Sequence, residues 1–218
     1  MKTSIAPKKS EKTNIQKVAF ELVKLLREGN VIVIAAESAY IAIADPASSD
    51  GVAGFRSLKD LGADVSFPVF VNDVNDLIPY VPQISDRDRL LTSTFWPGLL
   101  NIEFTTNEVL PSNLGADSSP ASIMARKPNS PILNVVCELM GPVIYTALKD
   151  KNDRFLKVLT GLLPAHKKII YLAINSGALR STKQSSVVSC IDKNPKMVRE
   201  GAVTYSEIKK VIPSLQPL

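Results

Sequence analysis

Two hydrophobic periods alternate along these 218 residues, and that alternation limits the fold more than any other feature. Ile15, Val18, Leu22, Leu25 and Leu26 recur at helical spacing, with Asn14 a candidate N-cap and Gly29 a candidate stop. Directly after them Val31, Ile32, Val33 and Ile34 form an unbroken apolar run, the mark of a strand buried on both faces. The exchange repeats down the chain. Residues 50–58 predict a helix, 67–71 a strand, and 86–95 a helix that Ser85 caps and Pro97-Gly98 stop. Strands are expected at 99–104, 121–126, 142–146 and 168–173, and helices at 132–140 and 152–163. The chain closes with strands at 185–191 and 196–199 and a short helix at 206–212. Interleaved strands and helices make the class α/β with a mixed sheet. The length suits one core. One domain over residues 15–212 is expected, behind a flexible basic arm at 1–14 and before a short tail at 213–218.

Composition excludes several functions. Apolar residues make up 45% and charged residues 22%, as in an ordinary globular protein, and no apolar run is long enough to span a membrane. A cytoplasmic protein is expected. Cys137 and Cys190 lie in unrelated contexts and read as two reduced core thiols. The single histidine, His166, rules out His-based zinc sites and Ser-His-Asp triads as good readings; beside Pro164 and Lys167 it reads as a surface loop residue.

The net charge of +5 hides an asymmetry. Residues 1–17 carry +4, residues 18–148 carry −7 and residues 149–218 carry +8. A basic end of this kind suits phosphate or RNA, and equally suits a lysine-rich solvated surface.

Several motifs stand in order along the chain. Gly29, Glu37, Tyr40, Asp45 and Pro46 fall in register with an opening motif that ends T-x-Y-G-L-x-x-D-P, with Ser38 in place of its threonine and Ile41-Ala42 in place of its Gly-Leu. Leu58-Lys59 follows, then Phe95-Trp96-Pro97-Gly98, then Ala125-Arg126-Lys127-Pro128 with Pro131. Ser185-Ser186-Val187-Val188 and Val198-Arg199-Glu200-Gly201-Ala202 complete the series. In this order the motifs resemble the YrdC family, over about residues 15–212. The resemblance implies a twisted mixed sheet with helices packed around it and a concave, positively charged cavity. It implies a nucleotidyltransferase similar to threonylcarbamoyl-AMP synthase, which joins L-threonine, bicarbonate and ATP, with Mg²⁺, and releases pyrophosphate. A partner of the tRNA-modification machinery then passes the threonylcarbamoyl group to an adenosine of tRNA. Other relatives bind double-stranded RNA.

Adenylate chemistry concentrates negative charge at the α-phosphate, so the site needs Arg and Lys donors. By resemblance, Lys59 meets phosphate as a catalytic group, and Arg199 lies by the nucleotide. Arg126 holds the threonine carboxylate or, as an alternative, a structural ion pair. Ser185, Ser38 and Glu37 are candidate substrate contacts, while Tyr40 and Trp96 read as packing residues. Other family groups are replaced: a threonine by Ala36, an arginine by Leu61, a histidine by Ser66, and the first and last of an S-x-N triplet by Ala147 and Lys149. Two main readings stay open. One is a divergent synthase; the other is a catalytically degenerate module that binds RNA or a nucleotide, with a scaffold role among tRNA-modification proteins as a third.

Overall fold

Glycine at position 29 is where the first helix must end. The residue takes φ 84°, and a Cβ there would sit 2.9 Å from Ser48 Oγ. Helix α1 (Lys12–Arg27) turns Ile15, Ala19, Leu22, Val23 and Leu26 inward. It starts two residues before the expected cap at Asn14. The computed structural model describes residues 1–5, 12–58, 67–107, 114, 121–180 and 183–218.

The apolar run after Gly29 forms strand β2 (Val31–Ala35). Its side chains alternate between two cores, Val31 and Val33 on one face and Ile32 and Ile34 on the other. Strand β3 (Tyr40–Ala44) pairs antiparallel with β2 and repeats this division. It lies inside the opening motif and was not expected as a strand.

Ten strands occur among the described residues, in one mixed sheet. The others are β1 (Lys2–Ile5), β4 (Val69–Phe70), β5 (Leu100–Thr105), β6 (Ser122–Arg126), β7 (Val143–Ala147), β8 (Ile170–Asn175), β9 (Ser186–Ser189) and β10 (Lys196–Arg199). Their order is β1-β8-β2-β3-β7-β4-β6-β5-β9-β10. Helices α2 (Ser49–Ser57), α3 (Asp86–Phe95), α4 (Pro131–Met140), α5 (Pro164–Ile169) and α6 (Tyr205–Val211) join them. The α/β class and the mixed, helix-covered sheet are as the sequence implied. Helices α1 and α4 pack on one face over Phe70, Val143 and Ile174. The larger core fills the other face, from Phe55 and Leu77 to Ile208 and Leu215.

Three further segments and one side chain differ from expectation. Residues 2–5, read as part of a flexible arm, form β1, which pairs parallel with β8. In the tail, Leu215 is buried and Gln216 trades backbone hydrogen bonds with Pro195 and Met197. Residues 152–163 are not an α-helix; they hold a turn and a 3₁₀ segment at Leu159–Gly161. The Asp150 carboxylate accepts from the backbone N–H of Asn152 at 2.8 Å and Arg154 at 3.1 Å, and Leu156 bonds back to Leu148, so the local backbone is claimed before a helix can form. His166 is buried in α5 rather than exposed, because the helix turns it under the end of α2, where it bonds to the Leu58 backbone.

Candidate functional site

Side-chain alternation along the central strands builds the site. Ile123 and Ala125 on β6, and Leu100 and Ile102 on β5, enter the larger core. Met124, Arg126 and Asn101 therefore point to the opposite face. Helices α1 and α4 cover only part of that face. The remainder opens as a cleft of about 1160 Å³, whose lining includes Ile41, Asn101, Met124, Arg126 and Tyr145. The segment between β7 and the 3₁₀ turn forms one rim, and Ser185 with Arg199 forms another.

Arg126 ends β6 and is only 4% exposed. Its Nη1 donates to Glu37 Oε1 at 2.8 Å and to the Gly98 carbonyl at 2.9 Å. The guanidinium carbon lies 4.9 Å from the Phe70 ring centre and 5.7 Å from that of Tyr145. Burial works against the charge, but the Tyr145 and Glu37 oxygens more than offset it and hold the pKa above the usual arginine value. Glu37 sits in the turn between β2 and β3 and also accepts from the Asn129 N–H at 2.7 Å. Glu37 Oε2 and Arg126 Nε are buried with no hydrogen-bond partner among the described residues. Of the two readings for Arg126, the buried ion pair is present, and Nε keeps one donor unspent.

At the opposite wall Arg199 Nη2 donates to Ser185 Oγ at 3.0 Å and Nε to the Ser185 carbonyl at 2.9 Å. Ser38 lines the cleft, and its carbonyl accepts from Lys157 Nζ. Lys59, Leu61 and Ser66 lie outside the described residues. Three replacements do meet at the cleft: Ala36, Ala147 and Lys149. Lys149 is spent locally on both oxygens of Asp153, each at 2.8 Å, and Arg154 on Asp150 at 3.0 Å. Backbone N–H donors, first that of Asn152, hold the Asp150 carboxyl below its usual pKa. Tyr40 and Trp96 pack as expected: Tyr40 is fully buried and donates to the Gly177 carbonyl at 2.7 Å, and Trp96 Nε1 donates to the Leu100 carbonyl at 2.8 Å. No group of three or more His, Cys, Asp or Glu is placed to hold a metal among the described residues.

The cleft also exposes what sequence reasoning missed. Asn101 and Tyr145 line its floor, and Arg154 and Lys157 its rim. The signal for Asn101 was present, since it alternates with the apolar Leu100, Ile102 and Phe104 and so opens the polar face of the strand. A buried polar side chain needs a partner, and that partner is Tyr145.

Motifs spread from residue 37 to residue 199 thus converge on one cavity. The family model named Sua5/YciO/YrdC, described as telomere recombination, matches residues 24–201. The chain belongs to the Sua5/YciO/YrdC family. It is similar to a Mycobacterium leprae protein named as a threonylcarbamoyl-AMP synthase, with 24% identity over 87% of this chain and 86% of the relative. The P. abyssi Sua5 structure complexed with L-threonine superposes with a TM-score of 0.81 at 20% identity, covering 100% of this chain and 63% of that one. The chain therefore spans under two thirds of that Sua5 protein. The E. coli YciO structure superposes with a TM-score of 0.69 at 22% identity, covering 92% and 94%. The Sua5/YciO/YrdC fold accounts for the motif order: residues far apart in sequence must share one cleft. No described helix is long and apolar enough to cross a membrane.

Proposed function

We propose that this Sua5/YciO/YrdC protein is a nucleotidyltransferase that binds ATP and L-threonine in the cleft and forms threonylcarbamoyl-AMP for tRNA modification. One observation carries the reading. Five cations, Arg126, Lys149, Arg154, Lys157 and Arg199, line the cleft, against Asp150 and Asp153 in its lining and Glu37 paired to Arg126 among the described residues. A cavity of this size and sign suits a polyphosphate together with a small zwitterion. The names of the relatives point to the same chemistry.

In the proposed reaction the threonine amine and bicarbonate condense to a carbamate with loss of water. A carbamate oxygen then attacks the α-phosphorus of ATP. A P–O bond forms, the α–β phosphoanhydride breaks, and pyrophosphate leaves. Arg199 is suited to neutralise phosphate oxygens and Ser185 to donate to one, and Lys59 is assigned phosphate contact by resemblance alone. Arg126 Nε is suited to donate to the threonine carboxylate, and Glu37 Oε2 to accept from its ammonium. Ser38 borders that end of the cleft. With no protein metal cluster among the described residues, Mg²⁺ would enter with the ATP phosphates and keep several waters.

A second reading has its own support. Ala36 and Ala147 present methyls where the family places hydroxyls, and Lys149 is tied to Asp153. These changes favour a member that binds a nucleotide or RNA without turnover. The two readings separate on incubation with radiolabelled ATP, L-threonine, bicarbonate and Mg²⁺. Pyrophosphate and threonylcarbamoyl-AMP are expected, with product falling at least tenfold in Arg199→Ala if one charge-assisted contact is lost. ATP binding without product would replace the synthase by the binding module.

A further inference from the structure

A line of polar side chains crosses the cleft floor from Tyr145 to Arg199, and its direction can be worked out. The Arg126 guanidinium carbon lies 5.7 Å from the Tyr145 ring centre. The Tyr145 hydroxyl lies 2.6 Å from Asn101 Oδ1. Asn101 Nδ2 lies 2.8 Å from Ser185 Oγ, and Arg199 Nη2 reaches the same oxygen at 3.0 Å. An amide oxygen can only accept. The Tyr145 hydroxyl therefore donates its proton to Asn101 Oδ1. Burial, the largest influence, pushes the Tyr145 phenol up, so that proton is in place at neutral pH. An amide oxygen held by Tyr145 leaves the Asn101 NH₂ facing Ser185.

The consequence falls on Ser185. Its hydroxyl oxygen accepts from Asn101 and from Arg199, which uses both lone pairs. The remaining hydroxyl proton points toward neither neighbour. Ser185 lines the cleft. We propose that Asn101 and Tyr145 are positioning residues that hold the Ser185 hydroxyl as a hydrogen-bond donor into the cleft, aimed at a phosphate oxygen of the bound nucleotide. The proposal deepens the reading of the cleft as a nucleotide site and rests on it. The two residues act through Ser185 and do not touch the ligand. Tyr145 is itself fixed by stacking on Phe70, with ring centres 3.7 Å apart and planes within 1°.

A double-mutant cycle tests it. ATP affinity is measured by calorimetry for Tyr145→Phe, Asn101→Leu and Ser185→Ala, and for each of the first two combined with Ser185→Ala. Ser185→Ala is expected to weaken ATP about tenfold. Tyr145→Phe and Asn101→Leu should each weaken it several-fold alone and add nothing once Ser185 is alanine. Tyr145→Phe keeps the ring stack, so it guards against a merely unfolded Asn101→Leu. Equal losses with and without Ser185, or no loss in either single variant, overturn the proposal while leaving nucleotide binding intact. A folded wild type that fails to bind ATP at millimolar concentration overturns both. Wild type that binds ATP but forms no product removes only the synthase reading, and the cycle still decides.

Discussion

The Glu37–Arg126 pair shows how one residue can serve both fold and site. Buried beside two aromatic rings, the guanidinium has its charge matched within 2.8 Å. Removing one partner strands the other charge out of water. Glu37→Ala is expected to cost about 3–5 kcal/mol of stability, read by urea unfolding. A second residue-scale expectation concerns acid. Burial, only partly opposed by the bond to the Leu58 backbone, holds the His166 pKa below its ordinary 6.5. The unfolded chain therefore takes up the proton first. Stability from this group is complete above about pH 6.5 and is lost as pH falls from there through the folded value. His166→Gln should flatten that part of the stability profile in calorimetry between pH 5 and pH 7. The motif residues Arg126, Glu37, Ser185 and Arg199 were legible from sequence, because the resemblance placed them. Their bonds were not. His166 was misread because Pro164 and Lys167 suggest a loop, and nothing local reports that α2 lies above them.

Elements governed by local chemistry were legible nearly to the residue. Helix α3 begins where expected because Ser85 and Asp88 form a reciprocal cap, with Ser85 Oγ accepting from Asp88 N at 3.2 Å and Asp88 Oδ2 accepting from Ser85 N at 3.0 Å. Ser85→Ala should cost about 1 kcal/mol, measured by thermal unfolding. Strand β10 also ran as expected, over Lys196–Arg199. Elements set from a distance were not legible. Strand β3 exists because β2 and β7 flank it, and Tyr40 is pinned by Ser176 N and the Gly177 carbonyl, residues far along the chain. The non-helical stretch after β7 likewise depends on Leu148 and Leu156 clasping the Tyr40 backbone. At the α1–α4 contact, Leu133 is fully buried, and Leu133→Ala should cost about 2–5 kcal/mol by the same measurement.

At the scale of the whole molecule, charge and topology carry different consequences. The basic excess of residues 149–218 is drawn in part to one place, since Lys149, Arg154, Lys157 and Arg199 all line the cleft. The sequence disclosed the excess but not its focus. ATP binding should weaken steadily as salt is raised from about 0.05 M to 0.5 M, because exposed charges are screened over a Debye length that shrinks through that range. Topology has the longer reach. Strand β2, near the start, pairs with β8, and β5 pairs with β9. A fragment that stops before Ile170 cannot complete the sheet, so a nascent chain emerging from the ribosome cannot close it until β8 and β9 are made. Such long-range pairing folds slowly, and the growing chain must carry one unpaired edge of the apolar run at Val31–Ala35 until β8 emerges, which makes it a natural client for whatever shields unfinished proteins.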